Sequence, residues 1–282
     1  SLHEPRPPLL ALTQGDPAGI GPEILLKLVR RWSGLDTPTW RPLLVAERAA
    51  LEALRETLPE APWDRLCYLS QRLVSADELE DVFATRSIPV VDPVAEPRSV
   101  RPGTSGPADA AGALTALDLG LDVVTSGVAD ALVTAPLSKA SIARHVHEGF
   151  TGHTDYLAEK AGLERYGRDY LMTFLAPDLK VALLSTHVPL RAALDHVSGP
   201  SLAEALDCLH RHGGMLGGRI AVAGIDPHAG EGGLLGTDDQ AVVAPAVAEA
   251  RSRGLDVRGP ESADSVFARA RQGEFDWVLA LY

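Results

Sequence analysis

The stretch IAVAGIDPHAGEGG, residues 220–233, joins an apolar buried-strand pattern to a polar, glycine-rich loop that carries His228. A second stretch, VALLSTHVPLR at 181–191, repeats the arrangement with His187. Open α/β sheets place their chemistry at the carboxyl ends of their strands. Neutral imidazole is the commonest protein ligand for a catalytic metal. Two strand-end histidines therefore point to a divalent metal site, for which a third ligand is ordinarily needed.

Outward from these two strands the chain alternates strand and helix. LLALT (9–13), PLLVAE (42–47), SIPVVD (87–92) and DALVTAP (130–136) read as strands, as do YLMTFL (170–175), KVALLS (180–185), LDVRG (255–259) and DWVLALY (276–282). Helical apolar stripes begin at Pro22 and lie in 47–57, 107–127, 201–212 and 239–254. YLMTFL and KVALLS form a strand pair around the turn residues Ala-Pro-Asp. This alternation predicts α/β layers with a largely parallel sheet. No internal repeat or low-complexity block interrupts it.

Composition excludes several classes. The chain has 282 residues, which points to about two domains or one large α/β unit. A net charge of −12 argues against a nucleic-acid surface, because phosphate backbones call for clustered Lys and Arg. The two cysteines, Cys67 and Cys208, form no C-x-x-C and read as free thiols of a cytoplasmic protein. No apolar run approaches the roughly 18 residues of a membrane helix, and no signal-peptide pattern opens the chain. The opening SLHEPRPP reads as a loose tail.

The glycine-rich segment LTQGDPAGIGPE (12–23) is a strand, a tight loop and a helix start. Its spacing is G-x-x-x-G-x-G rather than the dinucleotide G-x-G-x-x-G, and Asp16 and Glu23 would repel a pyrophosphate. TAPLSKASI (134–142) puts Lys139 in a first helical turn, where a cation is disfavoured by the helix dipole. Either an anionic partner or plain solvation accounts for it. FTGHTDYLAEKAG (150–162) sets His153 and Thr154 at another helix entrance, with ligand contact and capping as competing roles. The remaining histidines have bland readings. His210 and His212 close a helix, His196 lies near another helix end, His145 and His147 lie in a connection, and His3 is in the tail.

Taken in order, TQGDPAGIGPE, TAPLSK, FTGHTDYL, STHVPLR, DPHAGEGG and GPESADSVF resemble the 4-hydroxythreonine-4-phosphate dehydrogenase family over nearly the whole chain, from about Leu9 to Tyr282. The resemblance implies a two-domain α/β fold like the isocitrate and isopropylmalate dehydrogenases, largely parallel, with the active site in the interdomain cleft at a dimer interface. The domains would span 1–134 and 135–282, the second carrying the metal-binding histidines. The implied reaction is oxidation of 4-phosphooxy-L-threonine by NAD or NADP, followed by loss of carbon dioxide to give 3-amino-2-oxopropyl phosphate, in pyridoxal 5′-phosphate biosynthesis. Carried over by motif, His153 and Thr154 contact substrate, with Lys139 beside them. His187 and His228 bind one divalent metal per subunit, zinc, magnesium or cobalt. The homodimer would be cytoplasmic, with no nucleic-acid or membrane partner. Asp264, in SADSVF, is either a site residue reaching across the dimer or a helix cap.

Two departures from the family pattern are expected to matter. The family has Asn-Pro-His where this chain has Asp226-Pro227-His228, which adds a carboxylate next to the expected metal. The chain also stops at Tyr282, inside or just past an apolar strand. The resemblance places the third metal histidine directly after that tyrosine, so a missing last segment and weakened metal binding and turnover are expected. It would also take the last elements of the first domain. Other readings are a paralogous dehydrogenase of another phosphorylated four-carbon hydroxy acid, a metal-dependent hydrolase, and a non-catalytic binding module.

Overall fold

The computed structural model describes residues 6–69, 74–94 and 96–282; the first five residues of the proline-rich start lie outside them. The chain divides into two compact units, Ser1–Ala161 and Gly162–Tyr282.

In the first unit, β1 (Leu9–Thr13) leads through a tight loop to α1 (Gly21–Ser33), then β2 (Arg41–Val45) and the short α2 (Arg48–Glu52). After these come β3 (Leu66–Leu69), α3 (Ala76–Ala84), β4 (Ile88–Val91), α4 (Pro107–Thr125) and β5 (Ala131–Thr134). The strands form a parallel sheet in the order β3-β4-β2-β1-β5. Successive residues of a strand face opposite sides. Leu12, Leu44, Ile88 and Val90 accordingly pack on Leu25, Leu26, Val29 and Trp32 of α1. Leu9, Ala11, Leu43 and Val91 pack on the opposite side with Leu79 of α3 and Val123 of α4. Both faces are covered, which is why these strands read as unbroken apolar runs. The helix expected over 47–57 is shorter than its apolar stripe and gives way to turns after Glu52. The edge strand β3, half-buried along its whole length, had no comparable sequence signal.

The first unit extends past residue 134, the end expected from sequence. Two more helices, α5 (Lys139–His145) and α6 (His153–Lys160), bury Ile142 and Tyr156 against Ala110, Ala113, Leu114 and Leu117 of α4, and Phe150 between the two helices joins the same cluster. Tyr156 Oη donates to Asp118 Oδ1 at 2.5 Å, and His147 and Phe150 pack against the same ring. This aromatic cluster holds residues 135–161 to the first unit and moves the boundary to 161/162.

The second unit contains β6 (Thr173–Ala176), β7 (Leu179–Leu183), α7 (Leu190–His196), α8 (Gly199–Gly213), β8 (Ile220–Ala223) and α9 (Ala244–Ser252). It closes with β9 (Val257–Glu261), α10 (Val266–Arg271) and β10 (Trp277–Ala280). The sheet order is β6-β7-β10-β8-β9; β6 is antiparallel to β7 in a hairpin, and the other pairs are parallel. Leu202, Leu206 and Leu209 of α8 and Val247 of α9 cover one face. Val266 and Ala270 of α10 and Phe275 cover Ala221, Ala223 and Val278 on the other. The helical stripe at 239–254 divides: Asp239–Val243 winds as a π-helical turn before α9 begins. No helix among the described residues is long and apolar enough to cross a membrane.

A buried polar network lies at the carboxyl edge of the first sheet. Gln14, just past β1, and Glu47, just past β2, are both fully buried. Gln14 Nε2 donates to Glu47 Oε1 at 2.9 Å, and Glu47 N donates back to Gln14 Oε1 at 2.8 Å. Arg98 grips Glu47 through Nε at 2.6 Å and Nη2 at 3.0 Å, and reaches Asp109 Oδ1 at 2.9 Å. Asp109 in turn accepts from Gly106 N at 2.8 Å, fixing the start of α4. Removing one partner of a buried ion pair costs about 3–5 kcal/mol, because the remaining charge is left unmatched. Arg98→Ala should therefore lose stability of that order in urea unfolding; an unchanged midpoint would refute the role assigned to the pair.

Candidate active site

In the second unit, β7, β10 and β8 are parallel neighbours, so their carboxyl ends share one edge. His187 follows β7 and His228 follows β8, with β10 and the terminal Tyr282 between them. Tyr282 Oη donates to the carbonyl of Ile225 at 3.0 Å, tying the end of β10 to the loop after β8. Both histidines are exposed. Both also have left-handed backbone, with φ of 56° at His187 and 53° at His228.

The loop after β8 is unusual throughout. From His228 to Gly232 every φ is positive, at 53°, 52°, 78°, 43° and 68°. Three of these residues, His228, Ala229 and Glu231, are not glycine, and the left-handed conformation costs an L-residue roughly 1–2 kcal/mol. Such strain persists only where surrounding structure enforces it. Asp239, in the π-helical turn, anchors the entry to this loop. Its fully buried carboxylate accepts from Ile225 N at 2.8 Å and from Asp226 N at 2.9 Å.

Asp264 lies just before α10, and the cap position belongs to Ser265, so the capping role does not hold. Asp264 Oδ1 accepts from Ser262 Oγ at 2.8 Å, while Oδ2 stands 3.9 Å from His228 Nδ1. The Ser262 hydroxyl, helped by the charge His228 carries when protonated, holds the Asp264 carboxyl below its ordinary pKa. Asp226, expected as an added carboxylate near the metal, is turned into its own loop. Its buried Oδ2 has no partner, and its carboxylate fills the space where a side chain at residue 236 would lie. Among the described residues, no group of three or more His, Cys, Asp or Glu could hold a metal ion. His187 and His228 share the carboxyl edge of this sheet, and Asp264 stands beside His228.

The first unit carries the second group of candidates. Gly15 has φ 66° and lets the loop after β1 lie against the carbonyls of Ala135 and Pro136, where a Cβ would collide; Asp16 N donates to Pro136 O at 3.0 Å. The Ala135 carbonyl accepts a hydrogen bond from His153. His153 Nε2 is buried and unpartnered, so that bond is made by Nδ1–H. Burial, together with the charge of Lys139, pushes the His153 pKa below its ordinary value against the pull of the Ala135 carbonyl. The ring is thus neutral near pH 7, with a bare acceptor at Nε2. A buried acceptor without a partner costs about 1–3 kcal/mol, which a ligand's donor would recover.

Lys139, exposed at the start of α5, runs over Gly152, where a Cβ would meet its Cε and Nζ at 2.9 and 3.0 Å. It forms no ion pair among the described residues. Thr154 is no cap: Gly152 occupies that position without a side-chain bond, and Thr154 is exposed within the first turn of α6. Thus His153, Thr154 and Lys139 lie together in one unit, and His187, His228 and Asp264 in the other. Sequence reasoning missed Asp239 and the Ala135 carbonyl. An aspartate at a helix start and an alanine after a strand are too common to single out.

Two largely parallel sheets with polar groups at their strand ends define a protein of the α/β class. The family model of pyridoxal phosphate biosynthetic protein PdxA matches residues 39–282. The 4-hydroxythreonine-4-phosphate dehydrogenase of Chromobacterium violaceum is 35% identical over 282 residues, covering 99% of this chain and 80% of that protein. The D-threonate 4-phosphate dehydrogenase of Salmonella typhimurium is 34% identical over 277 residues, covering 97% and 80%. The crystal structure of the 4-hydroxythreonine-4-phosphate dehydrogenase from Klebsiella pneumoniae superposes with a TM-score of 0.79 at 32% identity, covering 98% of this chain and 81% of that one. The chain belongs to the PdxA family of pyridoxal phosphate biosynthetic proteins. It is an oxidoreductase of the dehydrogenase type, which implies a nicotinamide cofactor.

The Asp239 anchor can be tested apart from activity. Hydrogen bonds to a charged group contribute about 1.5–3 kcal/mol each, so Asp239→Ala should lower stability by roughly 3 kcal/mol or more. Amide hydrogen exchange at Ile225 and Asp226 should accelerate with it. Protection retained at both amides would show that the loop is held by something else.

Proposed function

We propose that this chain oxidises 4-phosphooxy-L-threonine with NAD or NADP to 2-amino-3-oxo-4-phosphooxybutanoate, which loses carbon dioxide to give 3-amino-2-oxopropyl phosphate. The observation that carries this reading is the 35% identity to a 4-hydroxythreonine-4-phosphate dehydrogenase over 99% of the chain. The placement of the candidate residues supports it. His153, Thr154 and Lys139 hold the substrate, with Lys139 offering a cation free to meet a phosphate or carboxylate. His187 and His228 hold a divalent zinc, magnesium or cobalt ion, and Asp264 orients the His228 ring through Nδ1. A divalent ion there supplies Lewis acidity toward a substrate oxygen. A bound nicotinamide would supply the acceptor for the electrons removed from the alcohol. The working form is a cytoplasmic homodimer.

A second reading, oxidation of D-threonate 4-phosphate, is favoured by the 34% identity to a dehydrogenase of that substrate. Absorbance of the reduced nicotinamide, followed with each substrate and each metal, separates the two. A kcat/KM at least about tenfold higher for the amino acid, a difference of about 1.4 kcal/mol in transition-state binding, is expected. Phosphate release with no reduced nicotinamide would instead indicate a metal-dependent hydrolase.

The metal assignment has its own test in calorimetric titration with zinc. Loss of an outer-shell partner costs about 10–100-fold in affinity, so Asp264→Ala should fall in that range and His228→Ala beyond it. Unchanged zinc affinity in His228→Ala would remove His228 from the site.

A further inference from the structure

The amino-terminal edge of the first sheet, opposite the strand ends described above, carries a cavity of its own. β3, β4 and β2 are parallel neighbours, so the arginines that precede or open them, Arg65, Arg86 and Arg41, come to one edge. All three line a cavity of about 480 Å³, together with Trp32, Leu35 and Phe83. Among the described residues, Asp36 is the only carboxylate in that lining. In a chain of net charge −12, this is a local reversal of sign.

Structural needs use only part of these donors. Arg65 gives Nε to the Arg86 carbonyl at 2.8 Å and Nη1 to the Ser33 carbonyl at 3.3 Å, which answers the negative end of α1. Arg41 gives Nε to the Pro7 carbonyl at 3.2 Å and Nη1 to Glu80 at 2.8 Å, a carboxylate it shares with Arg6. Nη2 of each is left over, and the Arg86 guanidinium forms no bond or ion pair among the described residues. Ser33 adds a hydroxyl to the same wall. The helix-end hydroxyls of Thr85, Ser126 and Ser252 donate to carbonyls three residues back. Ser33 Oγ, at the end of α1, is buried and has no partner. A hydroxyl not tied to its own helix is free to turn to a ligand.

We propose that this cavity binds a small organic molecule bearing an oxyanion, a phosphate or a carboxylate, with Arg86 as the principal contact. The planar fork of an arginine matches both groups. The cavity exceeds the size of an inorganic ion and falls within the roughly 300–1,000 Å³ of small-molecule pockets. Trp32, Leu35 and Phe83 give it an apolar wall for the organic part of the ligand. The site stands apart from the reaction proposed above and does not depend on it.

The test uses a variant chosen to keep the fold. Arg86 has left-handed backbone, with φ of 60°, where glycine is unstrained. Arg86→Gly therefore removes the guanidinium with Tm unchanged or raised. Nitrogen-15 NMR titration of the whole wild-type chain with phenyl phosphate should shift the amides of Ser33, Gly34, Leu35 and Arg86. A lost hydrogen bond to a charged group weakens binding by about tenfold or more, so Kd in Arg86→Gly should rise at least that far. Ser33→Ala should raise it by a smaller factor. Benzoate, titrated alongside, distinguishes the two anions. Tighter phenyl phosphate assigns a phosphate and tighter benzoate a carboxylate, and either upholds the site. No shift at these amides at millimolar ligand overturns the proposal without recourse to any variant. Shifts confined to the surroundings of Lys139 and His153, or an unchanged Kd in Arg86→Gly, overturn it as well.

Discussion

In a parallel sheet each strand must be reached by a crossover, so the carboxyl ends of β7, β10 and β8 are forced to a common edge. That constraint brings residues 187 and 228 to the same side of the second unit although two helices and a strand separate them in the chain. The same rule in the first unit puts Gln14, Glu47 and Ala135 at the ends of β1, β2 and β5. The chemistry of both units is therefore assembled by backbone pairing before any side chain is specialised. The helices above and below supply the apolar cover that such pairing requires.

Once the strand ends are placed, buried carboxylates fix the loops that leave them. Asp239 holds two amides after β8, Asp109 holds the amide that opens α4, and Glu47 is locked between Gln14 and Arg98. An ionised acceptor bonded to backbone N–H groups is stronger than a neutral one, and burial shields it from water and salt. These three acids are buried. Their role is to keep loop geometry constant while the exposed groups exchange ligands.

Much of the fold was legible because buried parallel strands have long apolar runs, and β1, β2, β4, β8 and β10 were visible on that ground. The edge strand β3 was not, since a half-buried strand has no continuous run and no clean alternation. The helix read over 47–57 contracted because an apolar stripe reports one buried face and not where backbone hydrogen bonding stops. The boundary near residue 134 was misplaced for a different reason: the packing of Phe150 and Tyr156 with α4 is tertiary and leaves no local mark. At the site, residue types and motif order drew attention to His153, His187 and His228. The partners that define their state, an alanine carbonyl and a carboxylate 36 residues further along at Asp264, follow only from three-dimensional placement.

The left-handed run from His228 to Gly232 bears on how sequence variation in this loop is to be interpreted. Positions 229 and 231 accept glycine without strain, whereas valine, isoleucine or threonine would force a branched Cβ into the neighbouring carbonyl. Evolutionary drift at these two positions is therefore filtered by handedness, whatever ligand the loop serves. Small residues retained there would record the mirror-sense path of the chain, and a survey that scored them as catalytic would mistake a geometric filter for a chemical one.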